Sequence, residues 1–393
     1  MRIAFDITQT GKDKAGCGYF AYSLIRALAG IDCINEYLLL NSFGEFIWDG
    51  KVSPTSCGIQ QANFKPSPLR HPNRIAARRF WQTPPSNLET ALGNPDVVHS
   101  NNFFCPSGLN RAQLIFTLYD LSFIEHPEWS TEVNRTLCFD GVYRASLFAD
   151  TILAISEYSR AHFLRTFPYY PSENVHVIYP ASRYTRQTNL ERPKTLSRQI
   201  KEGNFWLCVG TLEPRKNHLG LLRAYARHKA RLGKALPLVH AGGPGWLMND
   251  FKGQIRRLNL QNDVILLGYV SDVALQWLYQ NCFAFMYPSF FEGFGMPVLE
   301  AMSLGAAVIT SNTTSIPEIV GDTGILIDPR SDEHLASAMD TLAGDENQRI
   351  ALRIAALQRA SHFSWEHAAQ QTLDLSKSEV TKPKFRSAEK SFE

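Results

Sequence analysis

Long apolar runs, a cysteine framework and an excess of charge are all missing from this chain of 393 residues. No stretch approaches the roughly 18 uninterrupted apolar residues of a membrane-spanning helix, so none is expected. Residues 1–6 read as a strand with no apolar run behind it, so no signal peptide is expected either. The seven cysteines, at 17, 33, 57, 105, 138, 208 and 282, are odd in number and scattered, with no Cys-x-x-Cys. A disulfide framework and a zinc motif are therefore not expected, and a reducing cytoplasm fits. No cysteine has a base beside it in a recognisable arrangement. A formal net charge of +3 is too close to neutral to argue for nucleic acid as a partner.

What is present is an ordinary globular balance, 44% apolar and 20% charged. The length exceeds one hydrophobic core, so two domains are expected. Strand-like runs at 2–6, 37–40, 96–99, 114–118 and 151–155 alternate with helical patterns in the first half. Residues 181–203 are polar, with little periodicity, and read as a linker. The βα rhythm restarts at 205–209, 237–241, 264–267, 283–287, 307–310 and 324–327. Such alternation predicts mainly parallel sheets covered by helices. The expected division is a domain over 1–190, a domain over 191–375, and a disordered tail over 376–393. Ligands of such sheets bind beyond the carboxyl ends of the strands, so the loops there are the places to search.

Three loops carry chemistry. In Gly210-Thr211-Leu212-Glu213-Pro214-Arg215-Lys216 a strand ends in a glycine turn followed by adjacent cations, which suits a diphosphate. Gly242-Gly243-Pro244-Gly245 follows the next strand, and its glycines let main-chain N–H groups approach a ligand. In Glu292-Gly293-Phe294-Gly295-Met296-Pro297-Val298-Leu299-Glu300 a glycine-bracketed loop opens a helix, with Pro297 in its first turn. Such a junction suits an anion. Glu292 is expected beside a bound ligand, and Glu300 is placed to accept hydrogen bonds from vicinal hydroxyls such as those of a ribose.

The half from about 204 to 330 resembles the donor domain of the GT-B retaining glycosyltransferases of family 4. Their Glu-x(7)-Glu pattern is Glu292 to Glu300, their basic pair is Arg215 and Lys216, and their tail motif resembles residues 315–324. The first half resembles the family more weakly, through Gly16-Cys17-Gly18-Tyr19, residues 117–123 with His126-Pro127-Glu128, and Ser156-Glu157-Tyr158-Ser159. The resemblance implies an α/β fold of two Rossmann-like doubly wound domains facing a cleft. It implies a nucleotide sugar held by Gly16, Gly18, Gly210, Thr211, Arg215, Lys216, Gly242, Gly293, Phe294, Gly295, Met296, Val298, Leu299 and Glu300. Asp120, Glu292, Arg215 and Lys216 are the implied catalytic residues, with Tyr119, His126 and Glu157 on the acceptor side. Many members have His-Asp where this chain has Tyr119-Asp120. Either Tyr119 replaces that histidine, His126 reaches in, or the histidine is dispensable in this subgroup. The similarity extends to bacterial O-antigen and exopolysaccharide mannosyltransferases, which implies GDP-mannose or a related donor. It implies a lipid-linked oligosaccharide acceptor at the inner face of the cytoplasmic membrane. No Asp-x-Asp occurs, and side-chain cations fit the diphosphate, so no metal and no cofactor are expected.

Residues 69–81 combine four arginines with Phe80 and Trp81. They read either as a contact with an anionic membrane or as a solvated helix with its aromatics packed inward. His99, His162, His176, His240 and His362 are isolated and read as structural, although His240 lies near a strand end that could touch the cleft. Two rival readings remain: another GT-B enzyme such as an epimerase or phosphorylase, or an inactive nucleotide-sugar-binding subunit.

Overall fold

The computed structural model describes residues 1–11, 14, 16–44, 57–248 and 250–378. They form two compact units: Met1–Pro180 together with the chain from Ser364 onward, and Ala181–Phe363.

The first unit is built on β1 (Arg2–Asp6), β2 (Glu36–Leu40), β3 (Phe64–Pro66), β4 (Val97–Ser100), β5 (Gln113–Leu118), β6 (Thr151–Ala154) and β7 (Val175–Val177). Among the described residues they form one parallel sheet in the order β3-β2-β1-β4-β5-β6-β7. β4 and β6 are buried along their whole length, as strands covered on both faces must be. The core gathers Leu38, Leu40, Val98, Phe116, Ile152 and Phe163.

The second unit repeats the plan with β8 (Trp206–Val209), β9 (Leu238–Ala241), β10 (Val264–Gly268), β11 (Ala284–Tyr287), β12 (Val308–Ser311) and β13 (Ile325–Ile327). Their order is β10-β9-β8-β11-β12-β13, again parallel. Trp206, Met286, Ile309 and Met339 anchor its core. In each sheet the strand order reverses beside the first strand, between β1 and β4 and between β8 and β11. Loops leaving neighbouring strands there diverge and leave a crevice. That places the loop after β8 next to the loop after β11.

Two boundaries differ from the sequence expectation. The division falls at 180/181, and the helix Trp365–Lys377 belongs to the first unit, not to a 191–375 domain. Its buried Ala368, Ala369 and Leu373 give it an apolar face. Trp365 meets Phe20 edge-on at 5.6 Å, and Gln113 donates to Leu375 O at 3.3 Å. The polar stretch expected as a linker buries Leu196 and Ile200 within the second unit. Residues 376 and 377 are helical, so the tail does not start at 376, and the expected disorder over 379–393 lies outside the described residues. β3 and β7 were not foreseen, because strands of three residues leave no readable alternation.

Candidate functional site

The loop after β8 begins at Gly210, whose φ of 152° is open to glycine. Gly242, after β9, packs directly on it: a Cβ at Gly242 would stand 1.9 Å from Gly210 O. Gly242 is therefore required by close packing of two main chains. Its N–H donates to Gly268 O at 2.9 Å. Past Thr211, the turn Pro214–Lys216 carries the two cations, and Asn217 in the left-handed region starts the helix His218–Leu232. The Asn217 side chain accepts from Gly220 N at 3.2 Å and donates to Pro329 O at 2.7 Å.

The loop after β11 brings Glu292 onto those cations. Glu292 Oε1 accepts from Lys216 Nζ at 2.7 Å and from Ser289 Oγ at 2.6 Å. Its Oε2 accepts from Arg215 Nη1 at 2.9 Å. Lys216 Nζ also donates to the Tyr287 hydroxyl. Glu213, which the sequence reading passed over, forms an ion pair with Arg215 Nη2 at 3.0 Å and lies 3.9 Å from Lys216 Nζ. The result is a compensated cluster of two cations and two carboxylates, buried except for Arg215, whose side chain keeps 23% of its exposure. Burial alone would raise the Glu292 pKa, but Arg215 and Lys216 outweigh it and hold the carboxyl at about 2. Burial, helped by Arg215, lowers the Lys216 pKa against the pull of Glu292 and Glu213.

Hydroxyl groups from the run after β12 hold this loop in place. Thr314 Oγ1 accepts from Glu292 N at 3.1 Å. Ser315 Oγ donates to Glu292 O at 2.9 Å and to Phe294 O at 3.0 Å, and Thr313 Oγ1 donates to Phe290 O at 3.2 Å. The signal for them was a hydroxyl-rich run, Thr310-Ser311-Asn312-Thr313-Thr314-Ser315, at the end of a strand and just beyond it.

The helix Met296–Ser303 starts from Gly295, at φ 103°, with Pro297 in its first turn as expected. Gly293, Phe294 and Gly295 are buried in the loop before it. Val298 and Leu299 have fully buried side chains, and their N–H groups donate to Gly295 O at 2.9 and 3.3 Å. Their N–H groups thus close the first turn of the helix on Gly295. Glu300 is buried and accepts from Arg183 Nε at 2.8 Å and Tyr279 OH at 3.2 Å. Burial raises its pKa despite Arg183. Arg183, from the chain that opens this unit, is a partner that no motif announced.

In the first unit the predicted residues divide differently. Gly18 packs against the preceding chain, where a Cβ would lie 2.1 Å from Gln9 O, whereas Gly16 has open space around it. Tyr119 is buried, with its hydroxyl donating to Asn101 O at 2.7 Å and its ring edge-on to Phe20. It is a packing residue, not a free group at the sheet edge. Asp120, at the carboxyl end of β5, is half-exposed and accepts from Ser122 N and Oγ at 3.0 and 2.7 Å through Oδ1. His126 stacks on Trp129 at 3.8 Å and lies 3.1 Å from Glu128. Glu157 is exposed in the first turn of the helix Glu157–Thr166, capped by Ser156, and lies 3.8 Å from Arg160.

In the helix Arg74–Gln82, Trp81 is buried and donates to Ser42 O at 2.9 Å, with Phe80 packed beside it. Arg78, Arg79 and Ile75 are exposed. No helix of the described residues is long and apolar enough to cross a membrane.

Residues 193–359 match the family model described as Glycosyl transferases group 1, and residues 52–181 match Glycosyltransferase Family 4. The chain is 34% identical over 384 residues to the O-antigen chain mannosyltransferase B of Escherichia coli, spanning 96% of this chain and 100% of that one. It is 26% identical to the O-antigen chain mannosyltransferase RfbU of Salmonella typhimurium over 84% of this chain and 88% of that one. Among solved structures, HepE of Anabaena in complex with UDP and glucose gives a TM-score of 0.71 at 20% identity, covering 95% of this chain and 98% of that one. WaaG, a glycosyltransferase involved in lipopolysaccharide biosynthesis, gives 0.69 at 16% identity over 96% and 100%. At these identities the structural likeness is one of fold.

Proposed function

The chain belongs to the family 4 glycosyltransferases and has their GT-B fold of two parallel-sheet units, and from that premise we propose that it transfers mannose from a GDP-sugar. The acceptor is a lipid-linked or oligosaccharide chain in cell-surface polysaccharide synthesis. Transfer retains the anomeric configuration and needs no metal ion. The enzyme works in the cytoplasm, at the inner face of the membrane.

The observation that carries the chemistry is the convergence of Arg215, Lys216 and Glu292 at the switch point of the second sheet. The difficult step is departure of the nucleoside diphosphate, which gathers negative charge while the sugar becomes oxocarbenium-like. Fixed cations in a site shielded from water stabilise that charge without reorganising. Arg215 and Lys216 are fixed by Glu292 and Glu213 before any ligand arrives. Arg215 is the more exposed of the two and meets the diphosphate, while buried Lys216 acts from behind it. Glu292 orients both cations and offers its remaining lone-pair capacity to a sugar hydroxyl. Glu300 serves the ribose while anchored by Arg183. Asp120, at the carboxyl end of β5, is the further catalytic candidate. The leaving phosphate accepts the acceptor's proton on the same face. Mannose as the sugar is supported by the two relatives named for O-antigen mannosyl transfer. Exposed Arg78 and Arg79 supply the membrane contact.

A thermal-shift screen of GDP-, UDP- and ADP-sugars tests the donor, because the bound form raises the midpoint by mass action. GDP-mannose is expected to shift it most. Transfer in excess EDTA, with the product's anomeric configuration read by NMR, tests the mechanism. Loss of activity in EDTA with the fold and the thermal midpoint unchanged, or an inverted product, overturns it. Donor binding with no transfer to any acceptor favours an inactive binding subunit.

A further inference from the structure

Beneath the Gly210 loop, three buried groups converge that the transfer chemistry does not use. Cys208 lies on β8, His240 on β9, and His218 is the first residue of the helix His218–Leu232. Their ligand atoms all lie within 4.8 Å of one another. Cys208 Sγ and His218 Nδ1 are 3.7 Å apart. A tetrahedral ion with bonds of about 2.3 Å to sulfur and 2.0–2.1 Å to nitrogen spaces two such ligands about 3.6 Å apart.

The proton positions point the same way. His218 Nε2 lies 3.0 Å from Thr211 O, a carbonyl that can only accept, so Nε2 carries the hydrogen and Nδ1 turns its lone pair toward Cys208. The Gly210 main chain hydrogen-bonds the His240 ring, while its buried Nε2 has no partner. An imidazole nitrogen left unpartnered in a core is destabilising and calls for an explanation. Metal-ligating histidines use one ring nitrogen for the ion and the other for a carbonyl or carboxylate. Both rings here show that division.

We propose that Cys208, His218 and His240 form a binding site for a borderline-soft divalent ion of the zinc type, with a fourth position open to water. One thiolate and two imidazoles without an oxygen ligand disfavour magnesium and calcium. Binding releases the Cys208 thiol proton to solvent and leaves the site with one net positive charge. The ion ties β8 and β9 to the helix that starts two residues after Lys216. It is not part of the transfer reaction, which uses the protein's own cations.

The test uses the full chain, freed of metal and kept reduced, titrated with Co2+. One equivalent is expected to bind with a thiolate-to-cobalt charge-transfer band in the near ultraviolet and strong visible bands of four-coordinate cobalt. Zn2+ is expected to displace it and to raise the thermal midpoint. Cys208→Ser removes the charge-transfer band, and His240→Gln weakens Co2+ binding by at least about tenfold. Cys33→Ser, at an exposed thiol, leaves both unchanged. Absence of the band in the wild-type chain overturns the site, as does a band that survives Cys208→Ser or depends on Cys33. If Cys208→Ser does not fold, His240→Gln decides alone, and unchanged Co2+ affinity in that variant overturns the site.

Discussion

Two buried carboxylates, one in each unit, have had their acidity moved in opposite directions. Asp6 closes β1 and Glu292 follows β11, so both lie at the carboxyl edge of a parallel sheet beside a switch point. Around Glu292 stand Arg215 and Lys216, and its pKa falls to about 2. Among the described residues the donors to Asp6 are neutral: Thr8 N at 2.8 Å, Asn101 N at 3.2 Å and the Thr8 side chain. Burial dominates there, against those hydrogen bonds, and the Asp6 pKa rises to about 6. At this depth of burial two cations outweigh desolvation at Glu292, whereas neutral donors at Asp6, and the single Arg183 at Glu300, do not. The second unit is built to hold charge at its edge. The first presents a hydrogen-bonded network in which Tyr119, Asn101, Thr117 and His99 satisfy one another.

The strongest way to break the comparison is to remove Glu292. Glu292→Ala leaves buried Lys216 and part-buried Arg215 short of a partner and is expected to destabilise the second unit by about 3–5 kcal/mol in denaturant unfolding. An effect below about 1 kcal/mol means that the cluster is not held by its charges. Next come Arg215→Ala and Lys216→Ala, each expected to lower kcat on the order of a hundredfold, about 2.7 kcal/mol of transition-state stabilisation. Near-normal turnover in both removes the diphosphate assignment.

The pH dependence sharpens the contrast, because the two acids have opposite signs. Glu292, depressed, contributes stability that is present above about pH 4.5 and lost as pH falls toward about 2. Asp6, raised, opposes the fold above about pH 6, and stability is gained as pH falls from there toward 3.8. Each slope is at most about 1.4 kcal/mol per pH unit. Asp6→Asn is expected to flatten the profile between pH 4 and 6, and an unchanged profile there removes Asp6 as its source. The smallest effect is Tyr119→Phe. It removes one buried hydrogen bond and is expected to cost about 1 kcal/mol of stability with turnover changed by less than about threefold. A loss near a hundredfold makes Tyr119 the stand-in for the family's histidine after all.

Much of the fold was legible because parallel strands are short, continuous and apolar, and eleven of them were marked by that pattern. Gly210, Arg215, Lys216, Glu292 and Gly295 were legible because each sits at a strand-to-helix junction. Their contacts were not. The pairing of Glu292 with both cations spans 76 and 77 residues, and that of Arg183 with Glu300 spans 117. No local pattern carries such distances. The hydrogen bonds of Val298 N and Leu299 N to Gly295 O were not legible for a related reason: whether an N–H at a helix start is engaged depends on the turn before it. The last helix was assigned to the wrong unit because an amphipathic face says that it must be covered, not by what.

The sequence by itself determined that Glu292 stands in a glycine-bracketed loop ahead of a helix, that two cations follow a strand, and that the sheets are parallel. Those features follow from local propensity and periodicity. Only the tertiary structure decided that the cations and Glu292 form one compensated cluster, that Tyr119 belongs to the core, and that Cys208, His218 and His240 meet. Neighbouring strands in a doubly wound sheet are distant in the chain, so the packing of the sheet chooses which side chains share a buried volume. That volume sets the charge each can carry.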